Sequence, residues 1–342
     1  MKKTILTMLV AVMAMANVHA QQISVVSPDG NTTLHRTLQA AIEAANAAEA
    51  GSVIYIPGGG FTIADSVKIT NRMTIIGAGH KTVTDNVDGN TRISGNLFFN
   101  EGSSQSAIMG CYVTGNINVG NDGKAVDDVL VRYCNINSVQ VGNSDCNETY
   151  VNQNYIRSTC GFGNSNAIVT NNIIHSLGGV LNGEITYNVV LNQYCYYSQY
   201  TYNGTETRYA AVKADLSKIM YNIIIPTDNN VRISYYYAIN GSENSIVKNM
   251  MRNAYGEDYI NPSDNDWNNI FENYNSGAID PKSSFKLKGD YAEYNTTVGI
   301  YAGTGFNDKQ LAPTPYIIEK TIDEQTDAQG KLKVMIKVKA NQ

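Results

Sequence analysis

Short apolar runs recur along the middle of the chain, and each run has the same order of residue types. Two β-type residues are followed by a spacer, then by Asn or Cys, and then by two further residues that are mostly apolar. The runs read ISGNLF (93–98), IMGCYV (108–113), VRYCNI (131–136), VNQNYI (151–156), VTNNII (169–174), ITYNVV (185–190), IMYNII (219–224), IVKNMM (246–251) and IFENYN (270–275). Their fourth position is occupied by Asn96, Cys111, Cys134, Asn154, Asn172, Asn188, Asn222, Asn249 and Asn273. A repeat of roughly twenty residues with insertions is the signature of a solenoid.

The residue types within the runs predict strands. The runs are rich in Val, Ile and Tyr and are bounded by Gly, Asn and Ser, which excludes a helical repeat. Leu does not hold the repeated positions, which excludes a leucine-rich repeat. We therefore expect an all-β chain that forms a parallel β-helix of roughly ten coils. Asn suits its tight corners, because Asn tolerates the left-handed backbone region and its amide can bond to the Asn one coil away.

Both ends of such a stack need a cover, because a terminal coil exposes apolar side chains and a strand edge. A capping helix is predicted over 37–49, opened by Thr37 as its N-cap and closed by Gly51. Its apolar positions recur at helical spacing, and they are Leu38, Ala41, Ile42 and Ala45.

The carboxy-terminal end is predicted to be a hairpin cap. Residues 286–305 are Gly-rich and irregular, and Pro313 and Pro315 precede two alternating runs. The strands are expected at 316–322 and 332–338, turning near Gly330, with one face packed and the other, lysine-bearing face in water. The predicted domains are the β-helix over 21–305 and the hairpin segment over 306–342.

The first twenty residues have the order of a secretory signal peptide. Lys2 and Lys3 give a basic start, 5–16 are apolar, and Val18-His19-Ala20 precedes the cleavage point. We expect export to the periplasm, the cell surface or the medium. Cleavage would leave 23 basic and 30 acidic residues, a net charge of −7, which disfavours nucleic acid as a partner. No later apolar stretch reaches the length of a membrane span.

The cysteines are few and irregularly spaced. Cys111, Cys134, Cys146, Cys160 and Cys195 include no CxxC pair, so neither a disulfide scaffold nor a zinc site is favoured. Cys111 and Cys134 hold consecutive ladder positions, within bridging range. Two packed free thiols are the favoured interpretation and a disulfide is the alternative.

Two stretches carry a resemblance to a known family. The run TLQAAIEAANAAEAGSVIYIPGGGFTIADSVKITNRMTIIGAG (37–79), followed by the Asn-bearing coils, resembles the opening of the right-handed parallel β-helix proteins of the pectin-lyase-like superfamily. The runs FKLKGDYAEYNTTVGIYAG (285–303) and KLKVMIKVKANQ (331–342) are similar to the end of a group of secreted bacterial β-helix proteins, many without assigned activity. This superfamily holds lyases, hydrolases, adhesins and scaffolds, so the resemblance implies a fold and leaves the function open.

Motifs of the superfamily's enzymes are not found. Its pectate lyases hold calcium in an acidic cluster and use an Arg or Lys as base, so the resemblance implies calcium as a cofactor if this chain is a lyase; otherwise no cofactor is expected. Asp127-Asp128 matches the adjacent Asp residues of its hydrolases, but their Asn-Thr-Asp, Gly-His-Gly and Arg-Ile-Lys signatures are absent. Neighbours in a strand face opposite sides, which is poor geometry for paired acid-base work. A solvated turn is the favoured interpretation.

Metal binding has weak candidates. Asp122, Asp145 and Glu148 lie on neighbouring turns and could gather to bind calcium through oxygen ligands. Solvated turn acids are favoured for these three. The histidines at 35, 80 and 175 lie in no HxH or HExxH pattern, so we expect no metal there.

The largest departure from the repeat is rich in tyrosine. The interval from Asn188 to Asn222 is 34 residues, about one coil longer than the others. Insertions in successive coils tend to protrude together and line a groove, and a Tyr ring packs on a sugar face while its hydroxyl bonds to sugar oxygens. The alternative is that Tyr covers the sheet exterior. The candidate ligand-binding residues are Tyr194, Tyr196, Tyr197, Tyr200, Tyr202, Tyr235, Tyr237 and Trp267.

Functions from different classes are therefore left open. The first is a non-catalytic protein that binds or displays a polysaccharide or cell-surface glycan, or acts as an adhesion rod. The second is a polysaccharide lyase or glycoside hydrolase, which needs a base or two carboxylates. Its catalytic candidates are Glu206, Arg208, Lys213 and Asp215. The first is favoured, because no recognised catalytic constellation is present.

Overall fold

The chain was analysed as a computed structural model. It describes residues 22–80, 90–191, 195–201, 204–224, 239–251, 259–262, 267–274, 284–306, 316–322 and 334–339. Strands dominate these residues, and most of the strands belong to two long sheets.

The first sheet contains eleven strands. In spatial order they are β2 (Thr32–His35), β1 (Ile23–Val26), β3 (Ser52–Ile56), β5 (Met73–Gly77), β8 (Ala107–Met109), β10 (Leu130–Arg132), β12 (Thr149–Asn152), β14 (Ala167–Thr170), β16 (Glu184–Thr186), β21 (Lys218–Met220) and β24 (Ser245–Val247). From β3 to β24 every pairing is parallel, whereas β1 pairs antiparallel with both β2 and β3.

The second sheet contains thirteen strands, all in parallel pairings. They are β4 (Gly59–Thr62), β6 (Thr91–Ser94), β7 (Leu97–Phe99), β9 (Tyr112–Val119), β11 (Asn135–Val141), β13 (Tyr155–Ser165), β15 (Ile173–Leu181), β17 (Val189–Val190), β20 (Val212–Asp215), β22 (Ile223–Ile224), β23 (Ile239–Asn240), β25 (Asn249–Met251) and β26 (Tyr259–Ile260).

Strands of the two sheets alternate along the chain, so each strand pairs with its counterpart about one repeat later. Val131, for example, pairs with Ile108 on one side and with Val151 on the other. The inward residues of both sheets form one apolar core, and these three side chains are fully buried in it. The chain is therefore an all-β protein with long parallel sheets, an arrangement compatible with a β-helix or solenoid.

A helix lies at the amino-terminal end of the first sheet. Helix α1 (Leu38–Ala47) contacts β1 and β3, and its four buried residues are those predicted from the helical spacing, with Ile42 among them. Thr37 is the N-cap, since its hydroxyl accepts a hydrogen bond from the Ala40 N–H at 3.2 Å. The helix ends earlier than expected. Its C-cap is Ala48, and Gly51 instead donates its N–H to the Arg72 carbonyl at 2.7 Å. Within the described residues, no helix is both long and apolar enough to cross a membrane.

The segment after the last coils packs on the outside of the second sheet. It contains α2 (Trp267–Ile270), the antiparallel pair β27 (Phe271–Asn273) and β28 (Ser284–Leu287), and a 3₁₀ helix (Gly289–Thr296). Its apolar side chains cover a column of outward residues on five successive coils. The column consists of Tyr155, Ile173, Val189, Ile223 and Met250. The segment over 286–305, expected to be irregular, therefore contains a 3₁₀ helix and contributes side chains to this second cluster.

Residues 298–306, here called the strap, cross the strands of the second sheet. Gly299 N–H donates to the Tyr221 carbonyl at 2.8 Å, and the Asn171 side-chain amide donates to the carbonyls of Ile300 and Ala302. The Phe306 ring then lies 5.3 Å from the Tyr155 ring. The contacts step from later coils to earlier ones, so the strap runs back toward the amino-terminal end.

The carboxy-terminal hairpin is present. Strands β29 (Tyr316–Ile322) and β30 (Val334–Lys339) pair antiparallel, so the second strand begins two residues later than expected. The expected division into a packed and a wet face is wrong for β30, because Val334, Met335 and Ile336 are each about half exposed.

Two of the predicted ladder positions are also wrong. Asn96 precedes β7, whose Leu97 pairs with Ile117, so Asn96 aligns with Asn116 and not with Cys111. Asn273 lies exposed in β27, opposite Ser284, in a two-stranded antiparallel sheet separate from the coils. In both cases a local pattern like that of the true coils occurs at a place where the long-range pairing is different.

Candidate functional site

A continuous ladder of asparagine side chains lies inside the corner between the two sheets. Asn154, Asn172, Asn188, Asn222 and Asn249 are fully buried. Each of the first four donates its side-chain amide to the Oδ1 of the next, at 2.9 to 3.0 Å, and donates its backbone N–H to the same oxygen. Each also donates its amide to a strand carbonyl of the previous coil, as Asn188 does to Val169 at 2.8 Å. No ladder amide among these five is left unpaired, so the corner is rigid.

The left-handed residue of each corner is the one before the ladder position. Positive φ angles between 46° and 59° recur at Tyr133, Gln153, Asn171, Tyr187, Tyr221 and Lys248. This corrects the expectation that the ladder asparagines themselves take up the left-handed backbone. The ladder residues supply hydrogen bonds, and their neighbours supply the bend.

Two cysteines continue the ladder toward the amino terminus. Cys134 N–H donates to Asn154 Oδ1 at 2.9 Å, and Cys111 occupies the equivalent position one coil earlier. Both are fully buried free thiols, as are Cys146 and Cys160. Burial raises the pKa of the Cys134 thiol to about 12 and raises the pKa of Cys111 well above its ordinary value.

The long interval after Asn188 contains an inserted hairpin. Strand β17 pairs with the first half of β15, and β20 pairs with the second half of the same strand. Between them the antiparallel strands β18 (Cys195–Thr201) and β19 (Gly204–Ala210) form a hairpin. The insertion leaves and re-enters the coil above His175 and Ser176, which lie between the two halves of β15.

A second insertion leaves from the same place on the next coil. Strand β22 pairs with β17, and β23 pairs with β20. Residues 225–238, which lie outside the described residues, therefore join the same two strand positions as the hairpin does. The strands that flank residues 225–238 pair with the strands that flank the hairpin.

The predicted ligand-binding residues are distributed over these insertions and beyond. Tyr196, Tyr197 and Tyr200 lie in β18. Tyr197 pairs with Arg208 across the hairpin. Trp267 begins α2. Tyr194, Tyr202, Tyr235 and Tyr237 lie outside the described residues.

The outer face of the second sheet forms a shallow trough beside the base of the insertions. Gln140, Gly161, Gly178 and Lys213 are successive partners across four strands, and all are partly exposed. Neither Gly161 nor Gly178 carries a side chain, and the Gln140 side chain lies over Gly161, with its Oε1 2.6 Å from the position that a Cβ would take. This trough was not predicted from the sequence. Isolated glycines in strand runs are the signal that indicates a close backbone approach.

The predicted catalytic residues do not form an acid-base pair in the described part of the chain. Lys213 and Asp215 share the outward face of β20. The Asp215 carboxylate accepts hydrogen bonds from the Ser242 N–H at 2.7 Å and hydroxyl at 3.0 Å, which hold it in a turn. Glu206 and Arg208 lie in β19 and pair with Gln199 and Tyr197, respectively.

The acidic turn that the sequence singled out is a hydrogen-bonded corner. Asp128 has a positive φ of 57° and lies against Glu148 of the next coil. The pKa of Asp128 is raised by partial desolvation, and the hydrogen bond and charge of Glu148 add to this shift. Tyr150 donates its hydroxyl to Glu148 at 2.8 Å, and Asp127 accepts the Asn147 N–H at 2.8 Å.

The predicted calcium ligands are not brought together. Among the described residues, no group of three His, Cys, Asp or Glu side chains could hold a metal ion. Asp122 instead accepts the N–H groups of Glu101 and Lys124 in a turn. Of the isolated histidines, His175 is half-buried and its pKa is lowered by burial, while His80 packs against the Tyr155 ring at 5.6 Å.

A cluster that sequence reasoning missed lies two to five coils before the hairpin. The guanidinium carbons of Arg92 and Arg157 lie 5.3 Å and 4.7 Å from the centroid of the Tyr112 ring. These residues come from β6, β13 and β9. They are far apart in sequence and form no motif, so only the register of the strands reveals their contact.

Comparison of the chain with models of protein families, with curated proteins and with solved structures finds no match.

Proposed function

We propose that the two sheets wind as one right-handed parallel β-helix of the pectin-lyase-like kind, in a chain exported by its amino-terminal signal. The alternation of strands between the two parallel sheets and the asparagine ladder at their shared corner support the winding. The hand follows the right-handed preference of parallel crossovers. Helix α1 would cap the amino-terminal end, since its buried face continues the core.

On this scaffold we propose that the chain binds glycan at the insertions. The observation that carries the proposal is the pairing between the strands that flank them. The β18–β19 hairpin and residues 225–238 leave from the same strand positions on successive coils, beside the trough over Gly161 and Gly178. Ligand sites on a rigid scaffold are commonly built from such inserted loops.

The chemistry of the residues suits a sugar chain. The hairpin strands carry four tyrosines, Tyr196, Tyr197, Tyr200 and Tyr209, whose rings can pack on C–H faces while their hydroxyls bond to sugar oxygens. The trough adds the Gln140 amide and the Lys213 amine as polar groups at its two ends. Gly178 has no side chain, so a flat ring can approach the strand backbone closely there.

The test is glycan binding by the full chain on an array, followed by titration of the best ligand. Tyr197→Ala and Tyr200→Ala each remove one ring from β18, so the variant that loses more affinity identifies the tyrosine that contributes more to binding. We expect that variant to bind about tenfold more weakly, the scale of one lost ring contact. Tyr55→Ala is the matched control, because Tyr55 is an exposed tyrosine on the first sheet. Unchanged binding by both hairpin variants would exclude this site.

The catalytic alternative has one observation in its favour, the shared outward face of Lys213 and Asp215 next to the insertions. A lyase would use such an amine as base next to a uronate carboxylate, with calcium as the cofactor that the resemblance implies. Its test is incubation with polyuronides in the presence of calcium. A calcium-dependent rise in ultraviolet absorbance that is lost in Lys213→Gln would replace the binding function with a lyase function.

A further inference from the structure

Arg92 and Arg157 both lie against the ring of Tyr112 on the outer face of the second sheet. Arg92 pairs directly with Tyr112 in adjacent strands, and Arg157 reaches back from two coils further on. Each guanidinium lies within cation–π range of the Tyr112 ring, at 5.3 Å and 4.7 Å.

Arg157 is fixed in place by backbone groups. The register of β9 against β11 shifts between Val113 and Asn116, and the Arg157 guanidinium donates to the carbonyls of Val113, at 2.7 Å, and Thr114, at 3.3 Å. It also donates to the Asn135 side-chain oxygen. These bonds hold a half-buried cation at a defined point of the surface, so its position is set before any ligand arrives.

No carboxylate of the described residues neutralises these two cations. Among the residues that the structure describes, no carboxylate forms an ion pair with Arg92 or Arg157, and all the acceptors of Arg157 are neutral. Burial lowers the pKa of Arg157; Tyr112 raises this pKa, and the charge of Arg92, a smaller effect, lowers it. Two like charges are therefore held near each other at a cost, on a chain whose net charge is −5.

We propose that Arg92, Tyr112 and Arg157 form a binding site for an oxyanion: a sulfate, phosphate or carboxylate group. Arg92 is exposed and offers its donors in a planar fork that matches two oxygens of such a group. The Tyr112 hydroxyl offers one more donor. The anion supplies the missing charge between two cations that the fold already holds together. The site includes neither the hairpin nor the trough, so it does not rest on the proposed glycan function.

The experiment is calorimetric titration of the full chain with sodium sulfate, sodium phosphate or sodium acetate, at an ionic strength held constant with sodium chloride. Arg92→Gln removes the exposed fork and keeps its length. We expect saturable binding by the wild type and roughly tenfold to hundredfold weaker binding by Arg92→Gln, the loss expected for charge-assisted hydrogen bonds. Arg157 is not substituted, because its removal would leave the carbonyls of Val113 and Thr114 without this donor.

Two further variants distinguish anion binding at this site from general effects of salt on the protein. Arg36→Gln removes the same charge from an exposed arginine outside the cluster, and we expect it to bind like the wild type. Tyr112→Phe keeps the ring under both guanidinium groups and tests the hydroxyl, with an expected loss of several-fold. The preferred probe identifies the anion class. Equal affinity of Arg92→Gln and Arg36→Gln, or heats that never saturate with any of the three anions, would overturn the site. Stabilisation by sulfate alone carries no weight, because sulfate stabilises folded proteins generally.

Discussion

The side-chain nitrogen of Asn188 lies 3.0 Å from Oδ1 of Asn222, although 34 residues separate the two. Asn172 and Asn188 are 16 residues apart and make the same bond at the same distance. The β18–β19 hairpin therefore enters the chain between two ladder positions without altering the corner. The ladder hydrogen bonds join successive coils, and the hairpin is inserted between two ladder positions without breaking those bonds.

Loss of a ladder residue should destabilise the whole stack. Asn188→Ala removes the acceptor of both the Asn172 N–H and the Asn172 amide, and it leaves the Val169 carbonyl without its donor. Buried groups left unpaired make this costly, and we expect the free energy of unfolding in urea to fall by about 3 kcal/mol. Asn121→Ala, at an exposed turn, should change it by about 0.5 kcal/mol or less. Equal losses in the two variants would mean that the ladder bonds do not determine stability.

The sequence predicted inward-facing positions better than it predicted pairings. The Val-Ile-Asn runs mark buried strands because their alternation follows from the two-residue period of a strand. Asn96 and Asn273 share that local pattern, yet Asn96 bonds to the Asn116 N–H in an outer position, and Asn273 lies in an antiparallel pair. Pairing partners are set by contacts between distant parts of the chain, and a local pattern does not contain them.

The inserted hairpin had a signal that the period of the repeat concealed. Asn203-Gly204 lies between two alternating runs, and this dipeptide is the strongest short-range indication of a hairpin. The Arg92–Tyr112–Arg157 cluster had no such signal, because its members are 20 and 45 residues apart and come together only through the coil register.

The strap should be sensitive to side chains at one glycine and tolerant at another. Gly303 and Gly305 both have positive φ, at 62° and 75°. A Cβ on Gly303 would lie 2.9 Å from the Tyr187 ring, whereas a Cβ on Gly305 would meet nothing nearer than 4.0 Å. Both alanine substitutions place a side chain on a residue with positive φ, which costs stability in each variant. The difference in stability between the two variants therefore reports the clash with Tyr187.

We expect Gly303→Ala to be less stable than Gly305→Ala by about 1–2 kcal/mol in thermal or urea unfolding. In Gly303→Ala, amide hydrogen exchange should become faster at the backbone N–H of Gly299 and its neighbours in the strap, and this increase should be larger than any in the ladder strands. Indistinguishable stabilities would show that the strap does not pack tightly on Tyr187.

The buried thiols should make the protein less stable at high pH. Burial raises the pKa of Cys134 to about 12 in the folded chain, from an ordinary value of 9.0. The unfolded chain then loses this proton at lower pH than the folded chain does, so stability is full below about pH 9 and falls as pH rises toward 12, by about 1.4 kcal/mol per unit for one thiol.

The measurement is the free energy of unfolding between pH 8 and 10.5 for the wild type and for Cys134→Ala. Tyrosines and lysines titrate in both proteins, so the difference between the two slopes reports the thiol. We expect the alkaline slope to be smaller in Cys134→Ala. Native Cys134 should also resist a thiol reagent at pH 8 and react after denaturation. Parallel pH curves would contradict a buried, protonated thiol.

Removal of the hairpin should spare the fold and abolish glycan binding. Leu191 N–H donates to the Ile174 carbonyl and Leu177 N–H donates to the Ala211 carbonyl, both at 2.9 Å, so the two ends of the insertion are held by one strand. Replacement of 192–210 with two glycines keeps those bonds and shortens the loop, which lowers its closure entropy slightly. We expect an unchanged far-ultraviolet spectrum and a change in unfolding free energy of about 1 kcal/mol or less. A decrease in the free energy of unfolding as large as that of Asn188→Ala would contradict this prediction. It would mean that the hairpin is part of the stack, and the loss of binding would then not report a separate site.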